Sequence, residues 1–227
     1  MTLKLHDIKA CVFDAYGTLF DVNSAARTAQ DSLGEKWLPL AELWRVKQLQ
    51  YTWLRALSGH HADFWQVTGD ALDYAMSALH IDDPTLRVRL MNLYLVLTAY
   101  PEVPHVLKQL KAAGMKLTIL SNGTPAMLAA AVANAGVADL FEAVLSVEEV
   151  KVYKPHPSVY RLACDRLNVL AGHVCFVSSN GWDAYSAKAF GFRVLWCNRL
   201  VQEPERIPET PDAQITTLEG LPDIVLH

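Results

Sequence analysis

The spacing of apolar and polar positions changes period along this chain. Ile8 to Phe13 is a short β-branched and apolar run that ends at Asp14 and a glycine-containing turn, which predicts a buried strand. From about Ser24 to Leu97 the pattern is helical. Leu40 to Leu57 sets Leu43, Val46, Leu49, Leu54 and Leu57 at short helical steps among large aromatics, which predicts an amphipathic helix with more apolar surface than one core face needs. Phe64 to Leu79 repeats the behaviour through Phe64, Val67, Ala71, Leu72, Ala75 and Leu79, and Pro84 opens another helix expected to run to about Leu97.

After Pro101 helices and strands alternate. Helices are predicted over Val103–Ala113, Pro125–Ala135, Pro157–Leu167 and Trp182–Phe190, several of them stopped by glycine. Strands are predicted over Met115–Leu120, Ala143–Ser146, His173–Val177, Phe192–Trp196 and, last and short, Gln214–Thr217. Strands that are apolar without alternation and flanked by helices indicate a parallel sheet covered on both faces. The expected fold is therefore α/β: a doubly wound, Rossmann-like parallel-sheet core (residues 1–20 and 98–227) with an inserted all-helical cap domain (21–97). In such sheets the ligand sits beyond the carboxyl ends of the strands, so the residues just after each strand carry the chemistry.

Composition narrows the function classes. The 227 residues are 52% hydrophobic and 19% charged with only 11 Gly and 11 Pro, which supports a large core and excludes disorder. A net charge of −4 argues against a surface built for nucleic acid or anionic membrane. Cys11, Cys164, Cys175 and Cys197 form no CxxC pair and no metal-ligand spacing, which reads as reduced thiols. The opening MTLKLHDIKACVF lacks the pattern of an export leader, and the uncharged stretch Leu117–Ala138 is broken by polar and turn residues, so a cytoplasmic protein is expected.

The strand ends carry a consistent set. The first delivers Asp14 in DAYGTLFD, the second Ser121 and Asn122 in ILSNGT, a later segment Lys154 in VYKPHPSVY, and the next strand Ser178, Ser179, Asn180 and Asp183 in VSSNGWD. Two carboxylates, one cation, hydroxyls and amides converge on one end of the sheet. These four segments, in this order and with a helical insertion after the first strand, resemble the haloacid dehalogenase superfamily. Most members of that superfamily are Mg²⁺-dependent phosphatases reading DxDGT and GDSxxD. Here Tyr16 replaces the second acid of the first motif, and SSNGWD has lost an acid of the last. Those departures match the L-2-haloacid dehalogenase branch, as do ELWRVKQLQYTWLRAL and DFWQVTGDAL in the cap.

The resemblance implies displacement of halide from a 2-haloacid by Asp14, through an ester and without metal or other cofactor; a departing halide needs no proton, so the second acid is dispensable. It implies that Asp183 takes the proton of the hydrolytic water, with Lys154, Ser178 and Asn180 placing that water. Lys154 would hold both Asp14 and the substrate carboxylate, Ser121 would bind that carboxylate, Thr18 would brace Asp14, and Tyr160 would orient the lysine and carboxylate region. Arg45 from the cap would cradle the halide with Asn122, Phe64 and Trp182, and Tyr16 would wall the pocket. Read singly, Asp14 and Asp183 could be caps, Lys154 and Arg45 solvated cations, and Tyr160 an ordinary half-buried tyrosine. A phosphatase of the same fold and a non-catalytic binding protein are the rival functions. The aromatic-rich helices over Trp37–Leu57 lead us to expect a homodimer.

Overall fold

The computed structural model describes residues 4–22, 27 and 30–226. Six strands form one sheet in the order β3-β2-β1-β4-β5-β6, and every pairing is parallel. They are β1 (Ala10–Phe13), β2 (Lys116–Ser121), β3 (Ala143–Ser146), β4 (Val174–Ser178), β5 (Arg193–Cys197) and β6 (Ala213–Ile215). The chain starts in the middle, winds outward through β2 to β3, then crosses back and winds outward again from β4 to β6. That reversal opens a crevice at the carboxyl end of β1, and β1 and β4 are buried along their whole length.

β2, β4 and β5 begin and end one residue later than the apolar runs suggest, β3 falls where expected, β1 begins two residues late, and β6 begins one residue early and ends two early. Before β2 and β5, the Met115 and Phe192 N–H groups close the preceding helices on Leu110 and Ala187, so they are lost to the ladder. At the far ends the ladder continues through Ser121 and Ser178, whose hydroxyls receive the Gly123 and Asn180 N–H groups of the turns beyond.

Between β1 and β2 the chain forms α1 (Gln30–Leu33), α2 (Trp37–Ser58), α3 (Phe64–Ala78) and α4 (Pro84–Leu93), then α5 (Val103–Ala112) against the sheet. The helix start expected near Ser24 lies outside the described residues. Asp63 and Asp83 accept the Gln66 and Leu86 N–H groups and so open α3 and α4. α4 stops at Leu93 rather than Leu97. Leu95 and Val96 turn tightly onto Asn92 and Leu93, which delivers Thr98 to the crossing strand. There Asp21 donates to Thr98 (2.9 Å), Tyr100 donates to Leu19 (3.0 Å), and Phe20 bridges Ala99 in antiparallel sense.

In α2 the leucine stripe is only partly inward, with Leu43 half-buried against the core. The buried residues of the helix are Leu40, Ala41, Trp44, Gln48 and Thr52, while Val46, Leu54 and Leu57 are exposed. The packing α2 needs against α3 is supplied by a narrow stripe of aromatic and polar residues, with the Trp44 indole donating to the Thr68 carbonyl at 2.8 Å.

The remaining helices are α6 (Pro125–Asn134), α7 (Pro157–Leu167), α8 (Gly181–Phe190) and α9 (Leu221–Val225). α9 packs on α5 and α7 packs on α8, as right-handed crossovers in the two directions require of opposite faces. All four cysteines are free. Among the described residues no helix is long and apolar enough to cross a membrane.

Candidate active site

Asp14 follows β1 directly, and its N–H donates to Val177 of β4 at 3.0 Å. The backbone thus fixes the carboxylate at the crevice. Thr18 Oγ1 donates to Asp14 Oδ2 (3.0 Å), and Asn180 Nδ2 donates to the same oxygen (2.9 Å). Lys154 Nζ donates to Oδ1 (3.0 Å) and also to Asp183 Oδ2 (2.8 Å). Lys154 is 1% exposed and Asp183 0%. One buried ammonium therefore sits between two carboxylates.

Electrostatics follow from that geometry. Burial alone would lower the Lys154 pKa, but the charges of Asp14 and Asp183 outweigh it and hold the ammonium above the ordinary lysine value. Burial raises Asp183 above the ordinary carboxylate value against the pull of Lys154, and Asp14 adds to the rise. The Tyr160 hydroxyl donates to Asp183 Oδ1 at 2.8 Å. Burial and that carboxylate push the Tyr160 phenol well up, so it remains a donor. Within the lysine and carboxylate region, the Tyr160 hydroxyl thus reaches the carboxylate of Asp183. With both oxygens engaged inside the first turn of α8, Asp183 is no helix cap.

Other residues stand in relations the sequence did not disclose. Asn122 Oδ1 accepts the Lys154 backbone N–H (3.1 Å), so it anchors the loop that carries the lysine. Ser121 Oγ and Ser178 Oγ accept turn N–H groups at the ends of β2 and β4. Ser179 N–H donates to Thr18 Oγ1 at 2.8 Å, which orients the Thr18 hydroxyl toward Asp14. Asn180 is a bridge: its amide nitrogen serves Asp14 while its Oδ1 accepts from Arg45 Nη2 at 3.0 Å. The cap arginine and the strand-end carboxylate are thereby joined through one side chain.

Tyr16 forms the opposite wall. It is 3% exposed, stacks on Phe64 with centroids 5.9 Å apart, and tilts against Tyr94 at 5.6 Å. Its hydroxyl is buried without a hydrogen-bond partner among the described residues, and burial, then Tyr94 and Asp14, push its pKa well up. Trp182 lies edge-on to Trp53 of α2 (5.4 Å) and separates two cap–core clefts. One is apolar, about 700 Å³, over Lys154 and Tyr160. The other, about 530 Å³, is lined by Arg45, Asn180 and Arg199. Sequence reasoning missed Gln48, Thr68 and Tyr94, which form a buried polar group behind Arg45. The available signal was a glutamine and a threonine at helix positions that packing required to be inside.

This donor set does not fit a divalent cation. Such an ion takes several carboxylate or carbonyl oxygens. Here an ammonium occupies the space between the carboxylates, an amide N–H group faces Asp14 Oδ2, and Tyr16 stands where the phosphatase pattern has its second acid. Among the described residues no group of three or more His, Cys, Asp or Glu could hold a metal.

A family model described as haloacid dehalogenase-like hydrolase matches residues 8–191. (S)-2-Haloacid dehalogenase 1 of Pseudomonas sp. (strain CBS-3) is 45% identical over 222 residues, 97% of each chain. Haloacetate dehalogenase H-2 of Moraxella sp. (strain B) is 38% identical over 219 residues, 96% of this chain and 98% of its own. A solved structure of L-2-haloacid dehalogenase from Xanthobacter autotrophicus with chloropropionic acid covalently bound matches with a TM-score of 0.89 at 42% identity, over 95% of this chain and 97% of that one. The chain belongs to the haloacid dehalogenase-like hydrolases, and within them to the (S)-2-haloacid dehalogenases.

Proposed function

We propose that this protein hydrolyses the carbon–halogen bond of L-2-haloalkanoic acids, giving D-2-hydroxy acids and halide without a divalent metal. An Asp14 oxygen attacks C2 from the side opposite the halogen, the C–X electron pair leaves with the halide, and C2 inverts. Water then attacks the ester carbonyl on Asp14 and passes a proton to Asp183. Collapse releases the hydroxy acid and returns Asp14 to its carboxylate, with one proton released overall. The observation that carries this reading is the Lys154 ammonium seated between Asp14 and Asp183. It fixes a nucleophile and a base on one cation, while Tyr16 stands where the metal-dependent pattern has its second acid.

The remaining roles follow. Ser121 and the backbone N–H groups after Asp14 receive the substrate carboxylate, with Lys154 adding its charge. Arg45, Asn122, Phe64 and Trp182 surround the departing halide, whose charge grows as the bond breaks and is best met by a donor already in position. Thr18 and Asn180 aim Asp14, Ser178 holds the Asn180 turn, Tyr160 holds Asp183, and Tyr16 keeps water from the reacting carbon. We assign residues 1–20 and 98–227 to the core and 21–97 to the cap, and propose a cytoplasmic homodimer.

The test is halide release from both enantiomers of 2-chloropropionate, with and without EDTA, followed by a single turnover in H₂¹⁸O. Release from the L enantiomer alone, indifferent to chelator, with ¹⁸O appearing first on Asp14, is expected. Magnesium-dependent turnover, or label passing directly into the hydroxy acid, would overturn the reading.

A further inference from the structure

We propose that Gln48 is the positioning residue for Arg45, and that its buried amide couples the halide-binding arginine of α2 to the pocket wall at the start of α3. The inference rests on Arg45 serving the halide.

Gln48 is 1% exposed, in the middle of the α2–α3 interface, where an apolar side chain would pack at least as well. Its hydrogen bonds have only one consistent direction. A guanidinium can only donate, so the oxygen that meets Arg45 Nη1 at 2.7 Å is Gln48 Oε1. The amide nitrogen must then face Thr68 Oγ1, at 2.7 Å. Thr68 can accept there because its own proton goes to the Phe64 carbonyl at 2.6 Å. Tyr94 closes the group: its hydroxyl accepts from Gln48 Nε2 (3.1 Å) and donates to Gln48 Oε1 (3.2 Å).

The donors thus run Arg45, Gln48 and Thr68, and the Phe64 carbonyl is the last acceptor. The network ends at the residue whose ring stacks on Tyr16. Arg45 is held on one side by Gln48 and on the other by Asn180. Asn180 belongs to the core and also serves Asp14, whereas Gln48 belongs to the cap and touches no reacting group. A fully satisfied buried network of this kind fixes one geometry. Here the fixed object is the guanidinium that must meet a halide only as it departs.

The step at risk is therefore halide displacement and not ester hydrolysis. Chloride is smaller than bromide and concentrates its charge more, so it gains more from a well-placed charged donor. In Gln48→Met we expect single-turnover chloride release from L-2-chloropropionate to slow by ~10²-fold, the scale of a misplaced catalytic group. Bromide release from L-2-bromopropionate should slow less, and hydrolysis of the preformed ester should be unchanged. Tyr94→Phe, which removes one hydroxyl, should show the same order with a smaller effect, and it carries the test if Gln48→Met does not fold. Arg45→Ala is the reference. If it depends on the halide while both variants slow every step equally or not at all, the role of Gln48 is refuted and that of Arg45 stands. If Arg45→Ala itself shows no dependence on the halide, the reading of Arg45 falls first.

Discussion

Single side chains decide the chemistry here through what surrounds them. Asp183 must be ionised to accept the proton of water, and burial lifts it above the ordinary carboxylate value of 3.8. Ester hydrolysis is therefore expected to lose rate on the acid side above the usual aspartate range. Lys154, raised above 10.5, should impose no alkaline limb below that value. In stability the lysine contributes fully below its unfolded pKa, and the contribution is lost only as pH rises through the higher folded value. A pH profile of hydroxy acid formation in single turnovers checks both limbs; an acid limb at or below ordinary aspartate would contradict the Asp183 assignment. Gly123 is a second case. A Cβ there would lie 2.7 Å from Tyr16 Cε2, and that ring cannot retreat from its stack between Phe64 and Tyr94. Gly123→Ala should destabilise the fold by ~1–3 kcal/mol, as overpacking does, and lower turnover; a variant as stable and active as the parent would show that Tyr16 has room to move.

At the scale of elements, α2 presents two opposite faces. The inner one holds Leu40, Trp44, Gln48 and Thr52, and the outer one exposes Leu38, Val46, Leu54 and Leu57. An outer face this apolar, on a helix already packed on the other side, is the surface through which we propose that two copies pair. Burying a Val or Leu side chain is worth ~1.5–3 kcal/mol, so Val46→Glu or Leu54→Glu should each weaken association by at least ~10-fold. Sedimentation equilibrium measures this, and a parent chain that stays monomeric throughout would dispose of the dimer. The same helix marks the limit of what periodicity discloses. Leucine spacing does not mark the inner face, because that face includes Trp44 and Gln48, whose burial depends on hydrogen bonds to Thr68 and Tyr94 that only the fold brings near. β2 to β5 were legible to within a residue because they are largely continuous apolar runs, whereas β1 begins two residues late and β6 ends two early. The segments of Asp14, Ser121 and Ser178–Asp183 were legible because they follow strands. Their partners were not: that Asn122 binds the Lys154 backbone, that Asn180 joins Arg45 to Asp14, and that Tyr160 serves Asp183 are facts of three dimensions.

The molecule as a whole must hold a helical insertion in register with the sheet, and it does so at separated places. Arg45 meets Asn180 over the site. On the Lys154 side, His61 pairs with Glu148 at 3.0 Å and Tyr153 donates to the Ala62 carbonyl at 2.5 Å. At the crossing strands Arg199 from the loop after β5 does three things: it donates to the Thr18 carbonyl (2.8 Å), pairs with Glu102 (2.7 Å), and lies 3.7 Å over the Tyr100 ring. Its side chain is 9% exposed and that of Glu102 11%. Removing one partner of so enclosed a pair leaves the other charge uncompensated, which costs ~3 kcal/mol or more. Arg199→Met should therefore lower stability by about that amount in urea titrations, and adding Glu102→Leu should restore part of it. The pH dependence supplies the sharper check. Burial would raise the Glu102 pKa, but hydrogen bonds and the charge of Arg199 hold it below 4.5. Its stabilisation is then present above the unfolded value and disappears as pH falls through the lower folded one. The stability gap between parent and Arg199→Met must accordingly close in acid. A gap of constant size from neutral pH down into acid would mean that Arg199 holds the crossing through the Thr18 carbonyl and the Tyr100 ring and not through Glu102.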